Sequence, residues 1–286
     1  MLAQAPAGFW DVWGDGKAEI DAYDLVTPRY GELRKGSAVL IFVTEDFTEG
    51  ARVKSDGGHG DEYPVLKLND VRHFQTGIYD YEVMTSTFVR ADGAAPLGQP
   101  VKVSLGVQEW CGHVYSMLLP RDGKLEYTLH SYFDGEGDRD EKLALPRDGV
   151  LADVLPIAVR GLLGDLVAPG ATVEVPVMPT LLHSRFAHVP PAWTPLTLRR
   201  SADTATVEVP AGAFEAWTVD ATIEGVTTSW KIEAAAPHRI VAWERSDGEE
   251  AQLVGSERVP YWQLHDEGHE QILTRLGLGP SPTATP

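Results

Sequence analysis

Cysteine is almost absent from this chain of 286 residues, which contains Cys111 and no other. A single cysteine excludes an internal disulfide, and a chain of this length buries a sizeable hydrophobic core without one. The count agrees both with the cytosol and with an export route in which cysteine is avoided. Cysteine usage alone therefore leaves the compartment open.

Long hydrophobic runs and an excess of positive charge are also missing. The longest apolar run, AVLIFV at residues 38–43, is far shorter than the ~18 residues that a membrane-spanning helix requires. The 42 acidic side chains outnumber the 24 basic ones, for a net charge of -18. Such a surface repels phosphate backbones. The sequence predicts a protein that neither spans a membrane nor binds nucleic acid.

Local catalytic motifs are missing as well. The chain has no Gly-x-Ser-x-Gly elbow, no phosphate-binding Gly-x-x-x-x-Gly-Lys and no dinucleotide-binding Gly-x-Gly-x-x-Gly. The prediction is therefore no cofactor and no identified catalytic residue. A carboxylate pair for glycoside hydrolysis leaves no local mark, because its two members come from distant parts of a chain. Enzymatic activity stays open on this ground, although the missing motifs favour a non-catalytic protein.

The dipeptide Asp-Gly is frequent and occurs at seven places, which begin at residues 15, 56, 92, 122, 134, 148 and 247. Both residues tolerate the left-handed turns that join antiparallel strands, and several of these dipeptides lie between runs of alternating polarity. The pattern predicts an all-β, mainly antiparallel fold. We expect a curved sheet, a half-open β-barrel or a sandwich, with one or two short helices.

Two segments, 151–163 and 261–276, are predicted to be helical. They help to divide the chain into a processed or flexible amino terminus (1–12), a first β region (13–148), a second β region with a terminal helix (149–276) and a disordered tail (277–286). One domain and two domains agree equally with this division. The amino terminus carries Ala3-x-Ala5, which signal peptidase accepts, and this predicts a periplasmic or secreted protein whose signal peptide is removed.

The stretch QEWCGH at residues 108–113 contains the cysteine. In a strand, alternate residues share a face, so Glu109, Cys111 and His113 would point the same way, about 6 to 7 Å apart. A reactive thiol assisted by His113 would need a bulge at Gly112 to bring the two side chains together. A buried structural cysteine is the favoured interpretation.

A candidate metal site lies near the carboxyl end, where His265 and His269 would share one helix face at the spacing that zinc ligands use. The metalloprotease motif places a glutamate next to one of the histidines, and here Asp266 and Gly268 occupy those positions. A charged surface helix is the alternative.

A second candidate metal site is the acidic loop with Asp134, Glu136 and Asp138, which resembles the first half of an EF-hand loop. Arg139 stands at the glycine position of that motif and Leu145 at the position of its bidentate glutamate. An EF-hand is therefore excluded. A looser calcium site and a solvated hairpin loop both stay open.

Large aromatic residues recur in the predicted strands. They pack as core or line a cavity for an apolar ligand, because half-open β-barrels hold such cavities. The candidate ligand-binding residues are Trp110, Tyr115, Trp217, Trp230 and Trp243.

Several motifs bear on family: WGDGKAE (13–19), RYGE (29–32), TGIY (76–79) and QEWCGH. They resemble those of a family of uncharacterised exported bacterial proteins, many of them lipoproteins, over most of residues 10–140. The segment VPAGAFEA (209–216) and the pair Tyr261-Trp262 resemble a β-rich exported domain of unknown function. The resemblance implies no settled activity. The chain lacks the cysteine near the amino terminus that would accept a lipid.

The sequence therefore predicts a non-catalytic bacterial envelope protein. Its expected partner is a lipid or another apolar or amphipathic ligand, or an envelope protein, bound on a concave aromatic-lined face of the sheet. The first alternative is a hydrolase of envelope glycans or peptides that uses scattered carboxylate or histidine residues. The second is an adhesion or scaffolding module.

Overall fold

The predicted all-β, mainly antiparallel fold is confirmed. A computed structural model describes residues 2–58 and 60–279, and within them sixteen strands form one open sheet while two more form a small separate one. Most of the tail predicted to be disordered, residues 280–286, lies outside the described part of the chain. Residues 2–4 form a strand and Phe9 is buried, within the segment expected to be processed or flexible.

The described strands and helices are the following. The strands are β1 (Leu2–Gln4), β2 (Ala18–Arg29), β3 (Glu32–Thr48), β4 (Glu62–Thr76), β5 (Tyr79–Arg90), β6 (Asp92–Pro96), β7 (Lys102–Glu109), β8 (Gly112–Arg121), β9 (Lys124–Ser131), β10 (Asp138–Ala144), β11 (Val150–Leu151), β12 (Thr172–Met178), β13 (Thr194–Arg200), β14 (Ala205–Val209), β15 (Gly212–Ile223), β16 (Val226–Glu233), β17 (Ile240–Arg245) and β18 (Glu250–Val259). The helices are α1 (Phe9–Trp13), α2 (Leu155–Ala158), α3 (Leu181–Ala187) and α4 (Gln271–Arg275), with 3-10 turns at Ala152–Val154 and Tyr261–Gln263.

The large sheet runs in the order β10-β9-β8-β7-β5-β4-β3-β2-β18-β17-β16-β15-β13-β12-β11, and β14 pairs with β15 beside this path. Neighbouring strands are antiparallel except β11 and β12, which are parallel. The pairing of β18 with β2 joins the last strand of the second predicted region to the first strand of the first. One continuous sheet therefore runs through both regions.

The sheet curves around the segment that includes β11, the first 3-10 turn and α2. We call it the covering segment, and it extends to Arg160. Thr87 of β5 donates a hydrogen bond to the carbonyl oxygen of Asp153, while Arg160, just after α2, donates to the carbonyl oxygens of Pro237 and His238, which precede β17. In a flat sheet β5 and β17 would lie roughly 24 Å apart, at about 4.8 Å per strand. A short segment contacts both because the sheet is concave on this side.

The concave face holds the main hydrophobic core. Alternate residues of the strands point inward and pack with the covering segment, so that a single buried cluster draws on strands from β2 to β18. Tyr23 connects β2 to β17 within this core. Its hydroxyl donates to the Ile240 carbonyl oxygen at 2.6 Å, and its ring centroid lies 4.9 Å from that of Trp243.

Both predicted helices are wrong over most of their length. The segment 151–163 contains only a 3-10 turn and the four residues of α2, and the chain leaves the helical region where Gly161 adopts φ 68°. The segment 261–276 forms a 3-10 turn and the five residues of α4. Gly268, at φ 95°, lies in the left-handed region between them and interrupts the helical pattern.

The Asp-Gly hairpins predicted at Asp122-Gly123 and at residues 247–248 are confirmed, since they join β8 to β9 and β17 to β18. The sequence pattern over residues 22–33 predicts a single strand. This prediction is wrong, because Tyr30 and Gly31 form a tight turn between β2 and β3 with φ values of 56° and 75°. A tyrosine seldom adopts this conformation, which is why the Asp-Gly pattern missed the turn.

Gly36 offers a test of the strand packing. A Cβ added at this position of β3 would lie against the carbonyl oxygen of His73 and 2.7 Å from Cβ of Phe74 on the paired strand. We expect Gly36→Ala to lower the free energy of unfolding by about 1–3 kcal/mol through overpacking, as measured by urea denaturation. The matched control is Gly106→Ala in β7, where an added Cβ meets nothing within 4 Å. A loss of stability in the control as large as at Gly36 would contradict this explanation.

Candidate functional site

A cavity of about 500 Å³ lies on the concave face. We call it the concave cavity. Its volume is within the range of ligand pockets, about 300–1,000 Å³. The sheet supplies most of its wall, and the covering segment, α3 and the chain before α3 supply the rest. The lining residues used below are Thr27, Arg29, Tyr30, Leu40, Leu68, Asp70, Arg72, Asp153, Leu155, His183, Phe186, Ala187, Glu224, Thr228, Trp230, Ile240, Trp243, Arg245, Asp247 and Glu249.

The apolar part of the wall comes from inward-facing positions of several strands. Leu40 and Leu68 face the cavity from β3 and β4, and Trp230 and Trp243 face it from β16 and β17. The two tryptophans are directly opposite each other in the strand register. Leu155 of α2 adds an apolar side chain from the covering segment. This part of the wall suits the hydrocarbon portion of a ligand.

A buried ionic cluster forms the polar part of the wall. Arg72 donates to both carboxylate oxygens of Asp70, with Nη2–Oδ2 at 2.9 Å, and its Nη1 lies 3.1 Å from Oε1 of Glu249. Glu249 also accepts hydrogen bonds from Nε1 of Trp243 at 3.0 Å and from the hydroxyl of Thr27 at 3.1 Å. We call Asp70, Arg72 and Glu249 the Arg72 cluster.

The pKa values of the cluster follow from burial and charge. Burial alone would lower the pKa of Arg72, but the charges of Asp70 and Glu249 outweigh it and raise that pKa above its ordinary value. Burial alone would raise the pKa of Glu249, but Arg72 and then Arg245 outweigh it and hold that pKa below its ordinary value. Arg72 and Glu249 therefore stay ionised across the neutral range.

Asp153 is the second buried acid of the wall, and its surroundings are different. No lysine, arginine or histidine of the described chain forms an ion pair with its side chain, whose Oδ2 accepts a hydrogen bond from the backbone N–H of Leu181 at 3.3 Å. Burial raises the pKa of Asp153 to about 7, with the backbone hydrogen bonds opposing the shift and the charge of Asp70 adding to it. This carboxyl can exchange a proton near neutral pH.

One end of the cavity lies beside the turn between β2 and β3. The guanidinium of Arg29 is stacked there between two rings, with its Cζ 4.3 Å from the ring centroids of both Tyr30 and Phe186. Its Nη2 donates to the hydroxyl of Tyr81 at 3.2 Å and its Nη1 to the carbonyl oxygen of Phe186 at 3.3 Å. Tyr30 and Ala187 are exposed, so this end is the mouth of the cavity.

Helix α3, which forms part of the mouth, is fixed to the sheet by a separate polar cluster. The hydroxyl of Thr180 caps the helix by accepting from the backbone N–H of His183 at 3.0 Å. At the other end, Nδ1 of His188 lies 2.5 Å from Oε1 of Glu136, and buried Arg185 lies 3.9 Å from the carboxylates of both Glu136 and Glu109. These contacts set the position of the mouth.

Two of the five aromatic residues predicted to bind a ligand, Trp230 and Trp243, lie in the cavity wall. The other three lie elsewhere. Trp110 is 71% exposed at a hairpin turn, Tyr115 stacks on His130 with 6.5 Å between ring centroids, and Trp217 packs beside Arg200. Ligand binding by Trp230 and Trp243 stays a prediction.

The predicted geometry of QEWCGH is wrong. Trp110 and Cys111 form the turn between β7 and β8, so Glu109 pairs with Gly112, and His113 pairs with residue 108 on the opposite face. Cys111 is exposed, which also contradicts a buried structural cysteine. The carboxylate of Glu109 accepts the backbone N–H of Cys111 at 2.6 Å, and its proximity raises the thiol pKa. Among the described residues, no histidine forms a hydrogen bond with this thiol.

The residues predicted to bind metal are also dispersed. His265 and His269 lie in the loop before α4 and do not share a helix face. In the acidic loop, Glu136 turns toward α3, while Asp138 contacts His130 at 3.3 Å and Asp134 remains in the loop. In residues 2–58 and 60–279, no group of three or more His, Cys, Asp or Glu side chains is arranged to hold a metal ion.

Sequence reasoning missed the charged residues of the cavity, although β4 carries a visible signal. The positions Leu66, Leu68, Asp70, Arg72 and Phe74 alternate on one face, and two ionisable residues interrupt its apolar pattern. Charged residues at core-facing positions require partners, which here come from distant strands. No local pattern could identify Glu249 as that partner, because 177 residues separate it from Arg72.

Comparison with protein-family models, with curated proteins and with solved structures finds no match to this chain. The family suggested by the motifs therefore stays a prediction. Among the described residues, the structure contains no helix that is both long enough and apolar enough to cross a membrane.

Replacing Arg72 tests how strongly the ionic cluster holds the concave face. Arg72→Met leaves Asp70 and Glu249 buried without their cation, so we expect a loss of about 3–5 kcal/mol in the free energy of unfolding at pH 7.5. The control is Arg275→Met, because Arg275 is 55% exposed in its pair with Glu257 and should change stability by less than about 0.5 kcal/mol. Chemical denaturation measures both. Equal effects would show that the cluster is not a buried ionic constraint.

Asp153 predicts a pH dependence of stability. Its pKa is raised from 3.8 to about 7 on folding, so its contribution is complete below pH 4 and is lost as the pH rises through 7. Relative to Asp153→Asn, the wild-type free energy of unfolding should fall by about 1.4 kcal/mol per pH unit between these values. Asp247→Asn serves as control, because Arg245 holds the pKa of Asp247 below its ordinary value and it does not titrate in this window. Parallel curves for wild type and Asp153→Asn would contradict the assignment.

Proposed function

We propose that this protein is a non-catalytic binding protein that holds an amphipathic ligand in the concave cavity. The observation that carries the proposal is the combination of a cavity of about 500 Å³, open at its mouth, with a wall that is apolar on one part and polar on another. A protein that used this face only as core would fill it at close packing, with few voids larger than a water molecule.

The chemistry of the wall supports a ligand with both apolar and polar groups. Trp230, Trp243, Leu40 and Leu68 supply apolar surface, and burying a hydrocarbon there would contribute about 25 cal/mol for each Å² removed from water. The Arg72 cluster and Asp153 supply hydrogen-bonding groups. A purely apolar ligand would leave part of this polar surface without water or a partner, at a cost in affinity.

The location that fits this proposal is the bacterial envelope, as the Ala3-x-Ala5 pattern and the motif resemblance suggest. Three hairpin turns lie at the same end of the strands as the mouth of the cavity, and their tips expose Tyr30, Ile78 and Trp110 at 57%, 78% and 71%. These exposed side chains suit the transfer of an apolar ligand into the cavity. Exposed rings and aliphatic groups at one edge suit contact with an apolar surface.

A second candidate function is a hydrolase that acts in the same cavity. Asp153 has a pKa near neutrality, as a general acid requires, and Asp70 and Glu249 lie in the same wall. Two facts favour binding over this alternative. The carboxylates of Asp70 and Glu249 are both engaged by Arg72, and Asp153 already accepts a backbone hydrogen bond.

An adhesion or scaffolding module has less support from the sheet edges. Strand β10 forms one edge, and five of its seven residues are charged, which opposes pairing with another chain. The other edge is β11, which has only two residues.

The concave cavity can be tested by filling it. Thr228 is half-buried in the cavity wall on β16, so Thr228→Trp should weaken binding of the neutral fluorophore N-phenyl-1-naphthylamine at least about tenfold by occupying its space. Thr197→Trp is the matched control, since Thr197 is a half-buried strand residue outside the cavity wall. Fluorescence titration of each full-length variant gives the affinities.

Native mass spectrometry of the protein purified from its source supplies the second measurement. A bound amphiphile recovered unchanged would support the binding function, whereas a recovered cleavage product would support the hydrolase. Absence of fluorophore binding by the wild type, or equal binding by both tryptophan variants, would overturn a ligand-binding role for the cavity.

A further inference from the structure

Three arginines line the concave cavity, and their ionic partners differ. Arg72 is paired with Asp70 and Glu249, and Arg245 is paired with Asp247 at 2.7 Å. In the described part of the chain no carboxylate lies within ion-pair distance of Arg29. Its hydrogen-bond partners are neutral: two tyrosine hydroxyls and a backbone carbonyl oxygen.

The lack of an anionic partner matters because Arg29 is only 8% exposed. Buried charges in proteins are ordinarily paired. A carboxyl such as Asp153 can meet burial by holding a proton, as its raised pKa shows. A guanidinium cannot lose its proton in a protein, so its charge persists in every state of the cavity. An anion that enters the cavity would supply the missing counter-charge.

The surroundings of Arg29 hold its guanidinium in place and leave its hydrogen-bonding capacity underused. The rings of Tyr30 and Phe186 flank it at 4.3 Å each. Its hydrogen bonds measure 3.2 to 3.4 Å, longer than the usual 2.9 to 3.0 Å. An anion makes shorter and stronger bonds to a guanidinium and can displace or share these contacts.

The position of Arg29 fits a ligand head group. It lies at the mouth, next to exposed Tyr30, whereas Trp230, Ile240 and Leu68 line the wall farther along the same cavity. An amphiphile with its head at Arg29 would extend its hydrocarbon chain along that apolar surface. The acids of the wall do not cancel this attraction locally: Asp70, Glu249 and Asp247 have their own arginines, and Glu224 is exposed to solvent. Asp153, whose pKa is raised to about 7, is neutral at lower pH.

We propose that Arg29 binds the anionic head group of an amphiphile, a carboxylate, sulfate or phosphate, at the mouth of the concave cavity. This inference rests on the proposed binding function and names the ligand class that the cavity takes. Because the guanidinium presents two parallel N–H donors, bidentate contact with a planar carboxylate or a tetrahedral oxyanion is the expected geometry.

The test compares three probes with the same ten-carbon chain: decanoate, decan-1-ol and decylamine. Isothermal titration of the full-length wild-type protein at pH 6, where Asp153 holds its proton and decanoate is ionised, should show decanoate binding about tenfold more tightly than decan-1-ol, with decylamine weakest. This comparison needs no variant, so it is independent of any folding defect.

Variants then locate the preference. Arg29→Gln should reduce the affinity for decanoate to that for decan-1-ol and leave decan-1-ol within about twofold of wild type, while Arg29→Lys should keep part of the preference through its charge. Arg90→Gln is the matched control, because Arg90 also lies over an aromatic ring, that of Tyr63, but is outside the cavity wall and is paired with Asp92. It should leave the ratio of decanoate to decan-1-ol affinity unchanged.

Each contrary outcome has a distinct meaning. Equal binding of decanoate and decan-1-ol by the wild type, or tightest binding of decylamine, would overturn the role of Arg29 and leave the cavity as a binding site. A decanoate preference that survives Arg29→Gln would overturn it as well. Failure of all three probes to bind would overturn the binding function itself.

Discussion

The Arg72 cluster is the interaction on which the concave face depends. Arg72 and Asp70 belong to β4, while Glu249 precedes β18, and strands β3 and β2 lie between them in the sheet. A side chain can span that separation only if the sheet curves toward it. The cluster is buried, so its charges carry a desolvation cost that is recovered only when all three side chains meet. The charges of the cluster are therefore paired only when the sheet is curved.

The covering segment also stabilises the curved sheet, through buried polar contacts on the concave face. Arg160 lies 2.7 Å from buried Glu19 of β2 and donates to the carbonyl oxygens of Pro237 and His238, so a second buried cation ties the segment across the concave face. Asp153 contacts β5 and the first residue of α3 through Thr87 and Leu181. The residues of β2 that line the concave cavity, Thr27 and Arg29, lie at the mouth end of that strand, away from the Arg160 anchor at Glu19.

The polar groups of the cavity differ in how the cost of burying their charge is compensated. Arg72 and Glu249 neutralise each other, Asp153 can hold a proton, and Arg29 has neither a carboxylate partner in the described chain nor the ability to lose its charge. This difference connects the fold to the proposed function. A wall built only for stability would not place a buried guanidinium, stacked between two rings, at the open end of an apolar cavity.

The sequence by itself determined the fold class and two of the principal hairpins, because strand alternation and Asp-Gly turns are local properties of the chain. It also placed Trp230 and Trp243 on strands with large rings available for a cavity. It misjudged the turns at Tyr30 and Trp110, where the Asp-Gly pattern is absent and the pairing of neighbouring strands dictates the reversal.

Only the tertiary structure decided which side chains form the site. Thr27 and Glu249 are 222 residues apart, and Arg29 and Phe186 are 157 apart, yet each pair is in contact. Such contacts depend on the order of the strands and on the curvature of the sheet, which no short stretch of sequence encodes. The physical reason is that a local pattern fixes the face on which a residue lies, whereas its partner is fixed by what the whole chain brings to the other side of that face.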